Sequence, residues 1–87
     1  MNKTIIVDCG MFTRKHKVMF VEDNEVKEIF YSTTELLNDS IFTMAKTHDC
    51  KTVNFKGMRL YSLGIAKKLI EEQQRNYTDM NLKINVI

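Results

Sequence analysis

Two periodicities of apolar residues run along this chain, one typical of strands and one typical of helices. Lys3–Asp8 carries three consecutive β-branched residues, a run that favours a strand buried on both faces. Strand patterns recur at residues 16–22 and 26–31, on either side of Asp23 and Asn24, which tolerate the positive φ angles of a tight turn. We therefore predict a first strand, a loop and a β-hairpin. The two-residue period of a strand assigns the second strand of the hairpin two faces: Val26, Glu28 and Phe30 on one, and Lys27, Ile29 and Tyr31 on the other.

The rest of the chain alternates between helix and strand patterns. Ser32 followed three residues later by Glu35 is a capping-box pattern, and it predicts the start of a helix that ends at Asp49. We further predict a strand, a helix and a strand, at residues 51–55, 58–77 and 82–87. Helical spacing predicts the residues that face the sheet: Leu37, Ile41, Met44, Ala45 and His48 in the first helix, and Tyr61, Ser62, Ile65, Ala66, Leu69 and Ile70 in the second.

The resulting order, β-β-β-α-β-α-β, leaves few possible sheet topologies. Strand–helix–strand connections are right-handed and lay parallel strands side by side, so the first, fourth and fifth strands should be parallel neighbours. The hairpin then occupies the other edge of the sheet. We predict a single α/β domain over residues 1–87, with a five-stranded mixed sheet of order 3-2-1-4-5 and an antiparallel second strand.

This element order, together with the segment Val7-Asp8-Cys9-Gly10, resembles the ribonuclease H-like fold of nucleases, Holliday-junction resolvases and actin-like ATPase halves. The resemblance implies that Asp8 ends a central strand, where the nucleases hold Mg²⁺ for phosphoryl transfer. Those enzymes use further carboxylates, one of them typically after the fourth strand. In this chain no acid follows the fourth strand, and the last strand also ends without one. We therefore expect an incomplete catalytic set, in which Asp8 is the one candidate for a catalytic or metal-binding role.

Ligands of open α/β sheets collect outside the carboxyl ends of the strands, where the strand order reverses. That rule predicts a crevice between the first and fourth strands, where the start of the second helix favours an anion through its free N–H groups and its dipole. The predicted phosphate- or anion-binding residues, beside Asp8, are Gly10, Thr13, Lys15, Lys56, Gly57 and Arg59. The alternative is that both glycines only permit turns and that the basic side chains are solvated.

The resemblance to actin-like ATPases gives part of this set a second interpretation. It implies a phosphate loop formed by Gly10, Thr13 and Lys15 before the second strand. An ATPase of that kind closes two half-domains on the nucleotide, and this chain has the pattern of one half. A homodimer would restore two halves.

Four residues of metal-ligating type are present, but the predicted sheet separates them. Cys9 follows the first strand and Cys50 precedes the fourth, so parallel strands put the two thiols at opposite ends. His16 and His48 add no closely spaced ligand pair. We therefore expect two reduced thiols, with neither a zinc site nor a disulfide.

The composition is that of an ordinary globular domain. Apolar residues make up 44% of the chain and charged residues 28%, unlike disordered segments. The net charge of +2 gives no global attraction to nucleic acid, so any basic site must be local. The apolar runs are too short for a membrane span or a signal peptide. These features predict a cytoplasmic protein that does not enter membranes.

These observations together favour binding over turnover. We expect a small non-catalytic binding or regulatory protein whose partner is a protein of nucleic-acid metabolism, with nucleic acid or a phosphorylated ligand as a secondary partner. The third and fifth strands are sheet edges, which leaves a homodimer open. The small size and the composition rich in lysine, asparagine and isoleucine suit a phage or a mobile element. The alternative is a metal-dependent nuclease or phosphotransferase completed by oligomerisation, with Mg²⁺ on Asp8 and no other cofactor.

Overall fold

Five strands and two helices make up the described part of the chain, residues 2–10 and 14–87 of a computed structural model. The elements follow one another in the predicted order. Their bounds are β1 Lys3–Asp8, β2 Lys15–Glu22, β3 Glu25–Thr33, α1 Leu37–His48, β4 Thr52–Lys56, α2 Arg59–Asn76 and β5 Lys83–Val86.

The strands form one mixed sheet with the order β3-β2-β1-β4-β5. β2 pairs antiparallel with both β1 and β3, whereas β1 with β4 and β4 with β5 are parallel pairs. The prediction of the strand order and of the strand directions is therefore confirmed. β3 and β5 are the two edges of the sheet.

Both helices pack on the same face of the sheet, which we call the helix face. α1 contacts β1, β2 and β3, and α2 contacts β4 and β5. The cause is the direction of the two crossovers: both move from the hairpin side toward β5, and two right-handed connections in one direction cover one face. The hydrophobic core lies between this face and the helices. No helix of the described chain covers the opposite face, which we call the open face.

The one-sided helix layer changes the environment of the central strand. Ile5 and Val7 of β1 are fully buried on the helix face, but Ile6 between them is only half-buried. The expectation that this strand is buried on both faces is therefore wrong. Three consecutive β-branched residues favour a strand, but they do not report how many faces of the sheet are covered.

A bulge in the pairing of β2 with β3 breaks the alternation that the sequence predicts. Phe20 lies opposite Glu28, but the next residue, Val21, lies opposite Val26, so that Lys27 is the additional residue. Because Val21 belongs to the open face, Val26 does too. The prediction that Val26 and Glu28 share a face is therefore wrong.

The predicted capping box at the start of the first helix is also wrong. Ser32 is still part of β3, where it lies opposite His16, and its hydroxyl donates to the carbonyl oxygen of Thr33 at 3.0 Å. α1 begins later, at Leu37, and no side chain caps its N-terminus. Glu35 is exposed in the turn between the two elements. The hairpin continues past the residues that would have opened the helix because β2 offers a pairing partner as far as Lys15.

The helices bury most of the predicted stripes. In α1 the prediction omits Phe42, which is buried and whose ring stacks on Tyr77 with centroids 4.0 Å apart. His48 is half-buried, and its ring stacks on Phe20 at 3.9 Å. In α2 the outermost predicted position, Ile70, is 37% exposed. The remaining predicted positions of α2 are buried or half-buried: Ser62, Ile65, Ala66, Leu69 and Tyr61.

Gly57 makes the turn between β4 and α2, at a point where the backbone after β1 comes close. Its φ is +124°, and a Cβ atom added to it would lie 3.0 Å from the carbonyl oxygen of Cys9. The N–H of Cys9 in turn donates to the carbonyl oxygen of Lys56 at 2.9 Å. Glycine is needed here both for its backbone conformation and for the missing side chain.

Replacing Gly57 and Gly64 by alanine should change the free energy of unfolding in opposite directions. Gly57→Ala should lower the free energy of unfolding by about 1 kcal/mol or more, because alanine opposes the positive φ and its Cβ meets the Cys9 carbonyl. Gly64→Ala should raise it by about 0.5–1 kcal/mol, since Gly64 lies inside α2 with open space around it. Urea denaturation of both variants measures the free energy of unfolding. An equal change in the two variants would contradict the close contact at Gly57.

Candidate functional site

A cavity of about 370 Å³ lies on the open face at the carboxyl end of β1. It is lined by Asp8, Gly10, Lys15, Lys17 and Tyr31. These residues come from three neighbouring strands and from the loop between β1 and β2. The cavity therefore spans the hairpin side of the sheet, next to the strand that the sequence marks as central.

The strand register places four side chains of this region in one row across the sheet. Asp8 pairs with Lys17 on one side and with Lys56 on the other, and Lys17 pairs with Tyr31. Side chains opposite one another on neighbouring strands project from the same face. We call Tyr31, Lys17, Asp8 and Lys56 the charged row. Lys15, two residues before Lys17 in β2, also borders the cavity.

Positive charge exceeds negative charge at this site. The Nζ of Lys56 lies 4.0 Å from an Oδ of Asp8, and both side chains are close to half exposed. Solvent screens an ion pair of this kind, so it contributes little to stability. Asp8 supplies one carboxylate between the ammonium groups of Lys17 and Lys56, and this excess of positive charge favours an anionic ligand.

The structure brings together only part of the predicted anion-binding set. Gly10 and Lys15 share the cavity with Asp8, and Lys56 joins them through its ion pair. Arg59 instead lines a separate groove between α2 and β5 on the helix face. Gly57 packs against the backbone of Cys9, and Thr13 lies outside the described residues.

Sequence reasoning missed two residues of the cavity, Lys17 and Tyr31. Neither belongs to a loop motif, since both lie inside predicted strands. The signal that finds them is the pairing register, which sets them beside Asp8. The cavity accordingly extends over β1, β2 and β3, whereas the predicted crevice lay between β1 and β4.

The surroundings of Asp8 do not fit a Mg²⁺ site. Magnesium binds through oxygen ligands, with carboxylates supplying the negative charge, but both strand neighbours of Asp8 are lysines. Farther along the open face, the neighbouring positions of β4 and β5 hold amides rather than carboxylates. The side-chain N–H of Asn85 donates there to the Oδ1 of Asn54 at 2.9 Å. Across residues 2–10 and 14–87, no cluster of three or more His, Cys, Asp and Glu side chains is placed to hold a metal ion.

Cys9 follows Asp8 directly but is not activated as a nucleophile. Burial, with a smaller contribution from the negative charge of Asp8, raises the pKa of the Cys9 thiol to about 11. The thiol is therefore protonated at neutral pH, and a protonated thiol is a poor nucleophile. Cys50 is buried as well, and both cysteines are free. The two lie at opposite ends of the sheet, one after β1 and one before β4.

His16 is fully buried behind the cavity and connects two segments of the chain. The N–H of Gly10 donates to its Nδ1 at 3.2 Å, and its Nε2 lies 2.8 Å from the hydroxyl oxygen of Thr34. Because Nδ1 accepts a hydrogen bond, the hydrogen-bond network assigns the proton to Nε2, which donates to Thr34. The ring is thus neutral, and burial lowers the pKa of His16.

No protein-family model matches the sequence, and comparison with curated proteins gives no match. Among solved structures, the chain is similar to Pelota from Archaeoglobus fulgidus, with a TM-score of 0.63 and 11% sequence identity. The similarity covers 98% of this chain but 26% of the Pelota chain, so this chain spans about a quarter of that protein. At this identity the similarity concerns the fold alone. Neither helix of the described chain is both long enough and apolar enough to cross a membrane.

The neutral, buried His16 should make stability depend on pH. Below pH 7 the unfolded chain takes up a proton at the ordinary histidine pKa of about 6.5, but the folded chain does so only at lower pH. The unfolded state then binds more protons, so the free energy of unfolding should fall as the pH decreases from 7 to 5.

Urea unfolding at several pH values measures this dependence. In His16→Gln the slope should be smaller, because glutamine can keep both hydrogen bonds without titrating in this range. His48→Gln is the control, and it should retain the part of the pH dependence that His16 causes. Equal slopes in wild type and His16→Gln would contradict the assignment.

Proposed function

We propose that this protein acts by binding a partner protein on the open face of its sheet, without turnover. The observation that carries the proposal is the apolar surface there. Val26, Ile29 and Tyr31 of β3 are 52%, 49% and 64% exposed, although they project from a sheet rather than from a loop. Exposed apolar surface of this kind on a small domain is typical of an interaction site.

The pairing of β1, β2 and β3 shows which apolar residues lie side by side on the open face. Ile29 pairs with Met19, and Met19 pairs with Ile6, so that an apolar row crosses three strands. This apolar row lies directly beside the charged row, two residues away along each strand. Protein interfaces commonly combine an apolar centre with a charged and polar rim. The two adjacent rows supply both parts on the open face.

The class of partner is also part of the proposal. The strand order, the antiparallel β2 and the carboxylate that ends β1 support a ribonuclease H-like domain. Small domains of that class without a full set of carboxylates suit a regulatory role toward a protein of nucleic-acid metabolism. We propose that this role is played in the cytoplasm, where the buried thiols of Cys9 and Cys50 stay reduced, and that a phage or mobile element is the source.

A charge placed in the apolar row should abolish the association. We expect Ile29→Glu to reduce partner capture by about tenfold or more, because a carboxylate at the centre of an apolar interface loses its hydration. The matched control is Leu60→Glu on α2, since Leu60 is 86% exposed and lies away from the open face. Quantitative mass spectrometry of proteins captured by the tagged chain from its native cell measures both. Equal capture by the two variants would refute the open face as the interface.

The charged row favours a second candidate function, binding of a phosphorylated ligand or of a nucleic-acid backbone. Lys17 and Lys56 flank Asp8 from opposite sides, and Lys15 borders the same cavity. Lysines bind phosphate groups mainly through their charge, and such binding weakens steeply as salt displaces the ligand. Tyr31 at the end of the row offers a ring on which an unpaired base can stack.

Lysine variants test this second function with a labelled single-stranded RNA. Lys17→Ala and Lys56→Ala should each weaken binding and reduce the slope of log affinity against log salt by about one. Lys68→Ala, on the exposed side of α2, should leave both unchanged. Fluorescence anisotropy at several salt concentrations gives the slopes, and unchanged slopes in all three variants would exclude the charged row.

A branched DNA and an RNA–DNA hybrid test the enzymatic alternative, a metal-dependent nuclease or phosphotransferase completed by oligomerisation. We expect no cleavage with Mg²⁺ or Mn²⁺, since lysines surround the one carboxylate at this site. Cleavage that Asp8→Asn abolishes would replace the binding proposal with the enzymatic one.

A further inference from the structure

A second groove of the molecule is independent of the open face. It lies on the helix face between α2 and the edge strand β5, with a volume of about 490 Å³. Its floor is apolar and consists of Leu63, Ala66, Ile70, Ile84 and Val86. Leu63 and Ile70 remain 40% and 37% exposed, so apolar surface is accessible from solvent along the helix side.

The outer backbone edge of β5 lies along this groove. The backbone N–H of Lys83 donates to the carbonyl oxygen of Lys51 at 2.7 Å, and that of Ile87 donates to the carbonyl oxygen of Phe55 at 2.8 Å. Both N–H groups therefore point toward β4. Because backbone groups of a strand alternate in direction, the N–H and C=O groups of Ile84 and Val86 point outward. Among the described strands β5 pairs with β4 alone, so these outward groups have no strand partner there.

The charged residues that line the groove are both cationic. Arg59 and Lys67 of α2 border it, and no carboxylate contributes to its lining. The two cationic residues are eight positions apart, which corresponds to about 12 Å along the helix axis. An extended segment of about four residues covers the same distance, so carboxylates on such a segment can meet both cations.

We propose that this groove binds an extended, acidic segment of a partner protein, which adds to β5 as a further strand. Backbone hydrogen bonds to Ile84 and Val86 hold the segment in place. Its alternate apolar side chains enter the groove toward Leu63 and Ile70, and its carboxylates meet Arg59 and Lys67. Strand addition at a sheet edge, with pockets for alternate side chains, is an established mode of peptide recognition. The proposal does not rest on the open face, which lies on the other side of the sheet.

Peptide selection on the full chain tests the proposal without knowledge of the partner. A displayed library of random peptides of about eight residues should yield sequences that alternate β-branched or leucine residues with Asp or Glu. A labelled synthetic copy of the enriched sequence then serves as the probe for fluorescence anisotropy. Lys67→Glu should weaken its binding by about tenfold, because a repelling charge replaces an attracting one. Lys68→Glu, at the neighbouring exposed position outside the lining, should change it less than about twofold.

Amide exchange on the peptide complex separates strand addition from a contact made by side chains alone. The amide protons of Ile84 and Val86 should gain protection when the probe binds, because they become hydrogen-bonded. Ile29→Glu should leave the affinity for the probe unchanged, which distinguishes a failure here from a failure of the open-face proposal. The proposal is overturned by a library without enrichment, by basic enriched sequences, or by a probe that binds Lys67→Glu as tightly as wild type. Self-association of the chain that Lys67→Glu abolishes would also overturn it, since a second copy would then occupy the groove.

Discussion

The handedness of two crossover connections determines which surfaces of this molecule can interact. Both connections run in the same direction across the sheet, from β3 through α1 to β4 and from β4 through α2 to β5, so both helices cover one face. The core forms on that face, and the opposite face is left to solvent or to a partner. The half-burial of Ile6 beside two fully buried neighbours is a direct consequence. A helix layer on one side therefore accounts both for the hydrophobic core on the helix face and for the exposed side chains of Val26, Ile29 and Tyr31 on the open face.

Strand register then decides the chemistry of the open face. One row brings Asp8 between two lysines and ends at Tyr31, while the next row is apolar. The ammonium groups on both sides of this carboxylate repel a divalent cation and attract an anion. At the end of β1, the strand neighbours of Asp8 on both sides carry the opposite charge.

Two close backbone contacts hold the end of β1 in position behind the candidate site. Gly57 approaches the carbonyl of Cys9, and the N–H of Gly10 donates to the buried ring of His16. His16 extends this connection to the turn before α1 through Thr34. The interior side of the site is thus fixed by groups that stay uncharged near neutral pH. The charged groups lie on the solvent side, where a ligand can reach them.

The sequence by itself determined the element order and, through the handedness of crossovers, the strand order of the sheet. It also identified Asp8 as a carboxylate without a second acid. It did not reveal the bulge at Lys27, the continuation of β3 through Ser32, or the separation of Arg59 from the cavity of Asp8. Local patterns report the period of each segment, whereas these features depend on how distant segments pair. Only the paired sheet sets Lys17 and Tyr31 beside Asp8, because register is a property of two strands and cannot be obtained from either strand alone.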